Sequence, residues 1–576
     1  MSKQKLELTW IGKDETVKLE PRILIEDPEK SYGDKNSENM LIHGDNLLAL
    51  KALEQDFAGK FKCIYIDPPY NTGSRIDSDG KEIGYDDGLE HSEWLNMMRP
   101  RLEIMKTLLC DDGILAVQID DNEYARLYLL LAEIFFEKNI KTICVKMSEP
   151  TGVKMASVNK TGGIAKLKEY IILASKRGIK GLTLEKIPKG KWDNEYKTIC
   201  LNVTRDDLKI IKDISEDELR SDHDVDKVNE ILKNIEFANA KDTCRSETGK
   251  DAAESWYYEN AWRVVQFATL TGGAKDLAVS TKLNFSKTPS AFSIITSRKK
   301  MYLIRGDFNH ETDLPRCKIL FADLYLEVHA GDFWYDIKTT GLDNEGGVAF
   351  KKGKKPEALL KRVISMCTID NDWVLDSFAG SGTTGAVAHK MKRKWVMVEM
   401  ANHCFTHTIL RLKSVIKGED SQGVSEAMEW KGGGGFKFYE LAPSLLKKDK
   451  YDNWIIEEKY NANMLAAAVC KHEAFKFFPD PQVYWKQGKS TETDYIFVTT
   501  SFVTAEQVDK IQEEMQPGES LLICARSFQE ACVNRHAGIN IKKIPQMILG
   551  KCEFAKDNYD LNIVNAPQED DAEGDE

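Results

Sequence analysis

The residues with the most specific chemical potential in this chain are Asp67-Pro68-Pro69-Tyr70, which directly follow the apolar run Lys62-Cys63-Ile64-Tyr65-Ile66. Adjacent prolines fix the backbone and remove two N–H donors, so the carbonyls there have few local competitors. An aspartate carboxylate beside a proline carbonyl presents two acceptors, matching the two hydrogens of an –NH2 group. Tyr70 adds a flat ring on which a planar base can stack. A second cluster is the glycine-rich loop Ser377-Phe378-Ala379-Gly380-Ser381-Gly382-Thr383-Thr384-Gly385, which follows the apolar run Trp373-Val374-Leu375-Asp376. Such a loop lets backbone N–H groups approach a polar ligand unobstructed, and a following helix N-terminus favours a carboxylate or phosphate. Glu399 ends the next apolar run, 19 residues past Gly380. That spacing is near the ~20 at which an acid holds ribose hydroxyls in an adenosine-binding βαβ unit. The loop lacks the Gly-Lys-Ser/Thr ending of a P-loop and a clean GxGxxG, which disfavours a nucleoside triphosphate or a dinucleotide.

The elements that must carry these residues alternate. Met40 to His43 reads as a strand, Gly44-Asp45 as a turn, and Leu47, Leu48, Leu50 and Leu53 as one face of a helix to Phe57. Lys62 to Ile66 is an apolar run of buried parallel-strand type, and the helical spacing of Leu95, Met98, Leu102, Met105 and Leu109 precedes a strand from Ile114 to Ile119. A helix from Asn122 to Phe136 follows, and an amphipathic helix beginning around Lys355-Pro356 leads into the strand before the glycine-rich loop. Alternation of this kind predicts an α/β sheet with crossover helices, whose ligands sit at the carboxyl ends of the strands.

With 576 residues the chain holds several structural units, and 42% hydrophobic with 30% charged residues is the balance of a globular protein. The net charge of −12 disfavours a nucleic-acid partner at first sight. Its distribution says otherwise. Glu569 to Glu576 carries six acids and no base, so half the excess is a tail of the solvated kind. Residues 151–200 carry +7, residues 201–260 carry −7 and residues 261–310 carry +6. The two basic blocks are interleaved with Trp262, Phe267, Phe285 and Phe292, a composition suited to phosphate contacts and stacking, and the acidic stretch Asp213 to Glu230 reads as a solvent-facing helix. Twelve cysteines without CxxC pairs read as reduced thiols in a cytoplasm, disfavouring a structural zinc of the common spacings, and no apolar run reaches the ~18–20 residues of a membrane span.

Together, DPPYNTG after one strand and DSFAGSGTTG after another resemble the amino-methylating DNA methyltransferases that use S-adenosylmethionine. Asp67 precedes Phe378 by 311 residues, the order of the permuted β class. More closely, LIHGDNLLALKAL, GILAVQIDDNE, GDFWYDIKTTGL, NEGGVAFKKGKKPEALLKRVI and EWKGGGGFKFYEL resemble the modification subunits of type III restriction–modification systems. The resemblance implies a Rossmann-like methyltransferase sheet in circularly permuted order, with an inserted α+β target-recognition domain and a small C-terminal α/β domain. The implied boundaries are an extension over 1–39, a catalytic half over 40–150, target recognition over 151–345 and a cofactor-binding half over 346–416. A linker over 417–440, a C-terminal oligomerisation or partner domain over 441–568 and the acidic tail over 569–576 follow.

By the same resemblance, Asp67 and the Pro68 carbonyl would accept the amine of the target base, with Pro69 fixing the turn and Tyr70 stacking on the base. Phe378, Gly380, Gly382 and Thr383, after Asp376, would line the S-adenosylmethionine pocket. Glu399 would take the ribose, the helix from Lys355 and Pro356 would close over the methionine end, and Asp45 would be a further contact. No metal is required. The resemblance implies double-stranded DNA as substrate, with adenine N6 as the acceptor because the element begins with Asp. It further implies a homodimer, a helicase-nuclease restriction subunit as partner, and a cytoplasmic location. Three other readings stay open at this point: a stand-alone adenine or cytosine-N4 enzyme, an RNA or protein-amide methyltransferase, and an inactive DNA-recognition scaffold for a nuclease.

Overall fold

A computed structural model of the chain describes residues 7–71, 74–76, 82–87, 90–149, 162–339, 342–348, 350, 353–557 and 559. The acidic tail and the segment 150–161 at the start of the first basic block lie outside the described residues. Two compact units are present, one formed by residues 1–184 and 331–576 and the other by Glu185–Ala330.

The larger unit is built on a ten-stranded sheet. Its centre runs Met40–His43, Lys394–Glu399, Trp373–Asp376, Phe61–Ile66 and Leu109–Ile119, all parallel. Lys168–Ala174 then runs antiparallel between Leu109–Ile119 and Ile140–Lys146. Phe61, Cys63, Ile64 and Ile66 have no exposed surface, nor do Val374, Leu375, Val396 and Val398. Strands buried on both faces need continuous apolar sequence, which is why these segments lack alternation. The decisive pairing is between Trp373–Asp376 and Phe61–Ile66, where Leu375 lies opposite Ile64. It sets the ends of two strands from distant parts of the chain side by side, and it gives the sheet the permuted methyltransferase order that the motif sequence implied.

The boundaries differ from the expected ones in three places. The presumed linker 417–440 runs into the strand Gly435–Leu441, which pairs with Met40–His43 inside the main sheet. The N-terminal extension supplies the edge strand Leu24–Gly33 against it. Buried Glu20 and Arg22 tie that extension to Leu445 and Ala442, so it is packed structure. The C-terminal part has a mixed five-stranded sheet of its own, and its Lys471 ammonium caps the Ala52 carbonyl at 2.5 Å.

The smaller unit is narrower than 151–345 and contains a six-stranded antiparallel sheet. Its two ends are clasped by Lys186–Pro188 pairing with Glu327–His329, and Ala330 N–H donates to the Glu185 carbonyl. The acidic stretch is two helices, Arg205–Glu216 and Asp222–Asn234, because Ser221 starts the second with a capping box through Asp224. Each buries an apolar face, Leu208 with Ile211 and Val228 with Leu232, and leaves its acids outward. Of the four aromatics singled out for stacking, Phe292 is core, 2% exposed, and Trp262 and Phe267 pack partly into the core. Phe285 is exposed, and the Arg305 guanidinium lies 4.5 Å from the centre of the Phe267 ring.

Candidate active site

Asp67 leaves the sheet where Phe61–Ile66 ends, and the two prolines turn the chain across the strand ends. Buried Trp94 donates its indole N–H to the Pro69 carbonyl at 2.8 Å. Among the described residues no donor is directed at the Pro68 carbonyl, which remains the acceptor next to Asp67. The turn is held further by Asn71, which has φ +58° and donates to Glu123 at 2.7 Å, while His91 meets the same carboxylate at 2.5 Å.

The Asp67 carboxylate is engaged on both oxygens. Tyr70 donates its hydroxyl to Oδ1 at 2.6 Å, and the Lys355 ammonium lies 2.8 Å from Oδ2. Tyr70 Oη is also 2.9 Å from Glu169, and Lys355 Nζ is 3.7 Å from the same Glu169 oxygen. Gln118 donates to Glu169 at 2.5 Å and is itself held by Tyr65. Burial pushes the Asp67 carboxyl above the usual carboxylate range; Lys355 pulls it back and Glu169 adds to the rise. Burial opposes the charge on Lys355, but Asp67 and Glu169 outweigh it and hold the ammonium above its ordinary pKa. Lys355 therefore belongs to the aspartate's surroundings, and its Nζ stands 4.9 Å from the centre of the Tyr70 ring. Pro356 caps the helix Glu357–Cys367 that follows.

The glycine-rich loop starts one strand away. Asp376 is 2% exposed and accepts from Phe378 N–H and the Thr384 hydroxyl, so it braces the loop from within. Burial pushes its carboxyl up to about 7. Gly380 has φ +52° and a Cβ there would touch only the Phe378 carbonyl oxygen, at 3.9 Å, whereas at Gly382, φ +76°, a Cβ would strike Thr408 at 2.8 Å. The first glycine thus keeps a concavity open and the second permits close packing. Gly382 caps the helix Thr383–Lys390. Glu399 accepts from Gly380 N–H at 2.7 Å and from Ala401 N–H at 2.9 Å, and since each carboxylate oxygen has two lone pairs it keeps capacity for hydroxyl donors. Phe378 is 7% exposed and joins the core beneath the loop. An open cradle at Gly380 with a carboxylate rooted behind it fits the adenosine end of S-adenosylmethionine.

Asp45 is tied to its own helix and to Arg101. Its Oδ1 caps the helix Asn46–Phe57 through Leu48 N–H, and its Oδ2 is 3.3 Å from Arg101. Asn46, next to it, donates to the Ser377 carbonyl, so the turn supports the loop through its backbone.

A sealed group of charges lies behind the loop. Glu357 accepts from Arg411 and Lys390, each at 2.7 Å, and Lys390 also pairs with Asp420 at 2.6 Å. Arg411 reaches on to the Thr383 hydroxyl at 2.7 Å. All four charged residues are at most 4% exposed. Sequence reasoning did not find this group, nor Glu169, Gln118 or Trp94. The signal for Glu169 was a lone acid at the start of the apolar strand Lys168–Ala174.

Residues 61–409 match the family model described as DNA methylase, a span that contains both clusters and the inserted unit. The chain belongs to the DNA methylase family. It is 36% identical over 433 residues to a probable type III restriction-modification enzyme HindVI Mod subunit of Haemophilus influenzae, covering 71% of this chain and 54% of that protein. It is 27% identical to the EcoPI Mod subunit of Escherichia phage P1, covering 68% of this chain and 62% of that one. The EcoP15I Mod subunit of Escherichia coli is 26% identical, over 78% of this chain and 73% of the relative. The chain thus spans between about half and three quarters of the length of these three Mod subunits.

Proposed function

We propose that this protein transfers a methyl group from S-adenosylmethionine to the N6 amino group of a flipped-out adenine in double-stranded DNA. In this reading it is the modification and recognition subunit of a type III-like restriction–modification system. The observation that carries the reading is the side-by-side ending of Phe61–Ile66 and Trp373–Asp376, which brings an amine-accepting Asp67 and Pro68 next to a glycine cradle backed by Glu399.

The chemistry of the residues follows. An adenine amine is a weak nucleophile because its lone pair is delocalised into the ring. Asp67 and the Pro68 carbonyl, accepting its two hydrogens, draw those hydrogens out of the ring plane and so localise the lone pair toward the sulfonium methyl. The cofactor supplies an electrophilic methyl on a sulfonium. Asp67 need only be an ionised acceptor, and its carboxylate is the group positioned to receive the proton that the amine loses. Tyr70 replaces part of the stacking that the base gives up on leaving the duplex. Gly380 leaves room for the cofactor, Gly382 lets the loop pack closely on Thr408, Glu399 accepts from the cofactor's ribose, and Phe378 supports the pocket wall.

The unit Glu185–Ala330 would read DNA, with phosphate contacts from basic side chains such as Arg305 and Lys300. A second copy of the chain and a helicase-nuclease subunit complete the assembly in this reading, with the C-terminal sheet as the surface for subunit contact, in the bacterial cytoplasm where the DNA lies. No helix among the described residues is long and apolar enough to cross a membrane.

Long-read sequencing of DNA from cells with and without the gene tests the reading. A gene-dependent N6-methyladenine at a fixed sequence is expected. N4-methylcytosine would redirect the substrate assignment, and no gene-dependent mark would overturn the activity.

A further inference from the structure

Lys355 holds the place that a target base needs. Its ammonium occupies Asp67 Oδ2 and stands over the Tyr70 ring, while the Tyr70 hydroxyl takes Oδ1. A base stacked on Tyr70 takes the place over the ring where the ammonium now stands, so the ammonium must shift as the base enters, and at 9% exposure it needs a carboxylate where it goes. Glu169 stands ready to receive it, being 3.7 Å from Nζ and 2.9 Å from the Tyr70 oxygen. Its backbone belongs to the strand Lys168–Ala174, and Gln118 on the neighbouring strand fixes its carboxylate. The Tyr70 hydroxyl has one proton and two carboxylates in reach, so it too can rest on Glu169.

We propose that Glu169 is a positioning residue which takes over the Lys355 ammonium and the Tyr70 hydroxyl when the target base arrives, freeing Asp67 to accept the amine. The handover rests on the methyltransferase reading above. It keeps the ammonium paired throughout: before the base enters, Lys355 neutralises Asp67, and afterwards it neutralises Glu169, leaving the Asp67 charge for the amine that becomes electron-poor in the transition state. The titratable groups around Asp67 are Lys355, Glu169, Tyr70, Tyr65 and, across the strand ends, Asp376.

The test measures tritiated methyl transfer to unmethylated bacteriophage DNA across pH, with S-adenosylmethionine affinity measured in parallel by equilibrium dialysis. In Glu169→Gln the ammonium has no second carboxylate, so kcat should fall about ten-fold or more while cofactor affinity stays within about two-fold. Removing the negative neighbour also lowers the pKa of Asp67, so the acidic limb of kcat/KM should move to lower pH. Glu169→Asp, which keeps the charge, should recover most of the rate and leave the limb in place. An unchanged rate and limb in Glu169→Gln would overturn the handover alone, given an active parent chain. A loss of cofactor affinity matching the loss of rate would overturn it as well, by placing Glu169 in the cofactor's service. A parent chain that transfers no methyl group to DNA would overturn the methyltransferase reading and the handover with it.

Discussion

Two groups of buried charges flank the segment Lys355-Pro356-Glu357, and they are built on opposite rules. On one side, Lys355 joins Asp67 and Glu169, one ammonium against two carboxylates, in a place that solvent still reaches, with Asp67 20% and Glu169 19% exposed. On the other, Glu357 and Asp420 meet Lys390 and Arg411, two against two, with no more than 4% exposure. A balanced and sealed group holds a shape. An unbalanced and open one holds a vacancy for a polar guest, because its own partners leave acceptor capacity unspent. Two residues of one segment thus separate the scaffold from the chemistry.

Asp67→Ala is the sharpest way to test the open side. Methyl transfer should fall by roughly 10³-fold or more, while S-adenosylmethionine affinity stays within a few-fold. Unfolding free energy should hardly change, because the variant relieves an excess of acid; retained methylation would remove Asp67 from the mechanism. Glu357→Ala is the mirror experiment. Leaving Arg411 and Lys390 without their shared carboxylate should lower stability by about 3–5 kcal/mol, read by denaturant unfolding. If Asp67→Ala and Glu357→Ala lose stability equally, the distinction between the two groups fails.

Asp376 supplies a pH test of the loop between them. Its pKa is raised to about 7, so the folded state holds a proton that the unfolded chain releases near 3.8. That contribution to stability is complete below the unfolded value and is lost as pH rises through the folded one. Asp376→Asn should therefore gain on the parent chain between about pH 4 and 7, by up to about 1.4 kcal/mol per pH unit. Urea unfolding at several pH values checks it, and parallel curves for the two proteins would mean that Asp376 ionises freely. The smallest effect belongs to Asp45→Ala, which removes a helix cap and should cost about 1 kcal/mol with cofactor affinity unchanged. A large loss of affinity would return Asp45 to the pocket.

Much of this was legible in the sequence, for identifiable reasons. The central strands announce themselves as unbroken apolar runs, and Asp67, Tyr70, Gly380 and Glu399 stand where such runs stop, so residue type and position carried the same message. Glu169 carried none, because its meaning depends on Lys168–Ala174 folding back antiparallel beside Leu109–Ile119, a long-range pairing without a local signature. Lys355 was read as part of a helix that covers a cofactor; its contact with Asp67 exists only because strands far apart in the chain are neighbours. The strand Gly435–Leu441 is hidden because the glycine run 432–435 that leads into it looks like a hinge, although its Phe436 and Phe438 alternate inward as a strand should.

The clasp between Lys186–Pro188 and Glu327–His329 bears on how the molecule is made. At ~5–20 residues per second, on the order of 15–60 s separate the synthesis of Phe61–Ile66 from that of its partner Trp373–Asp376. For that interval a largely apolar strand edge waits on the ribosome, the kind of edge that recruits chaperones or other chains. A clasped insertion can finish folding during the wait, and closing its own ends shortens the free chain that must later be brought round to complete the sheet. The two halves of the site therefore come together only after the glycine-rich loop has emerged.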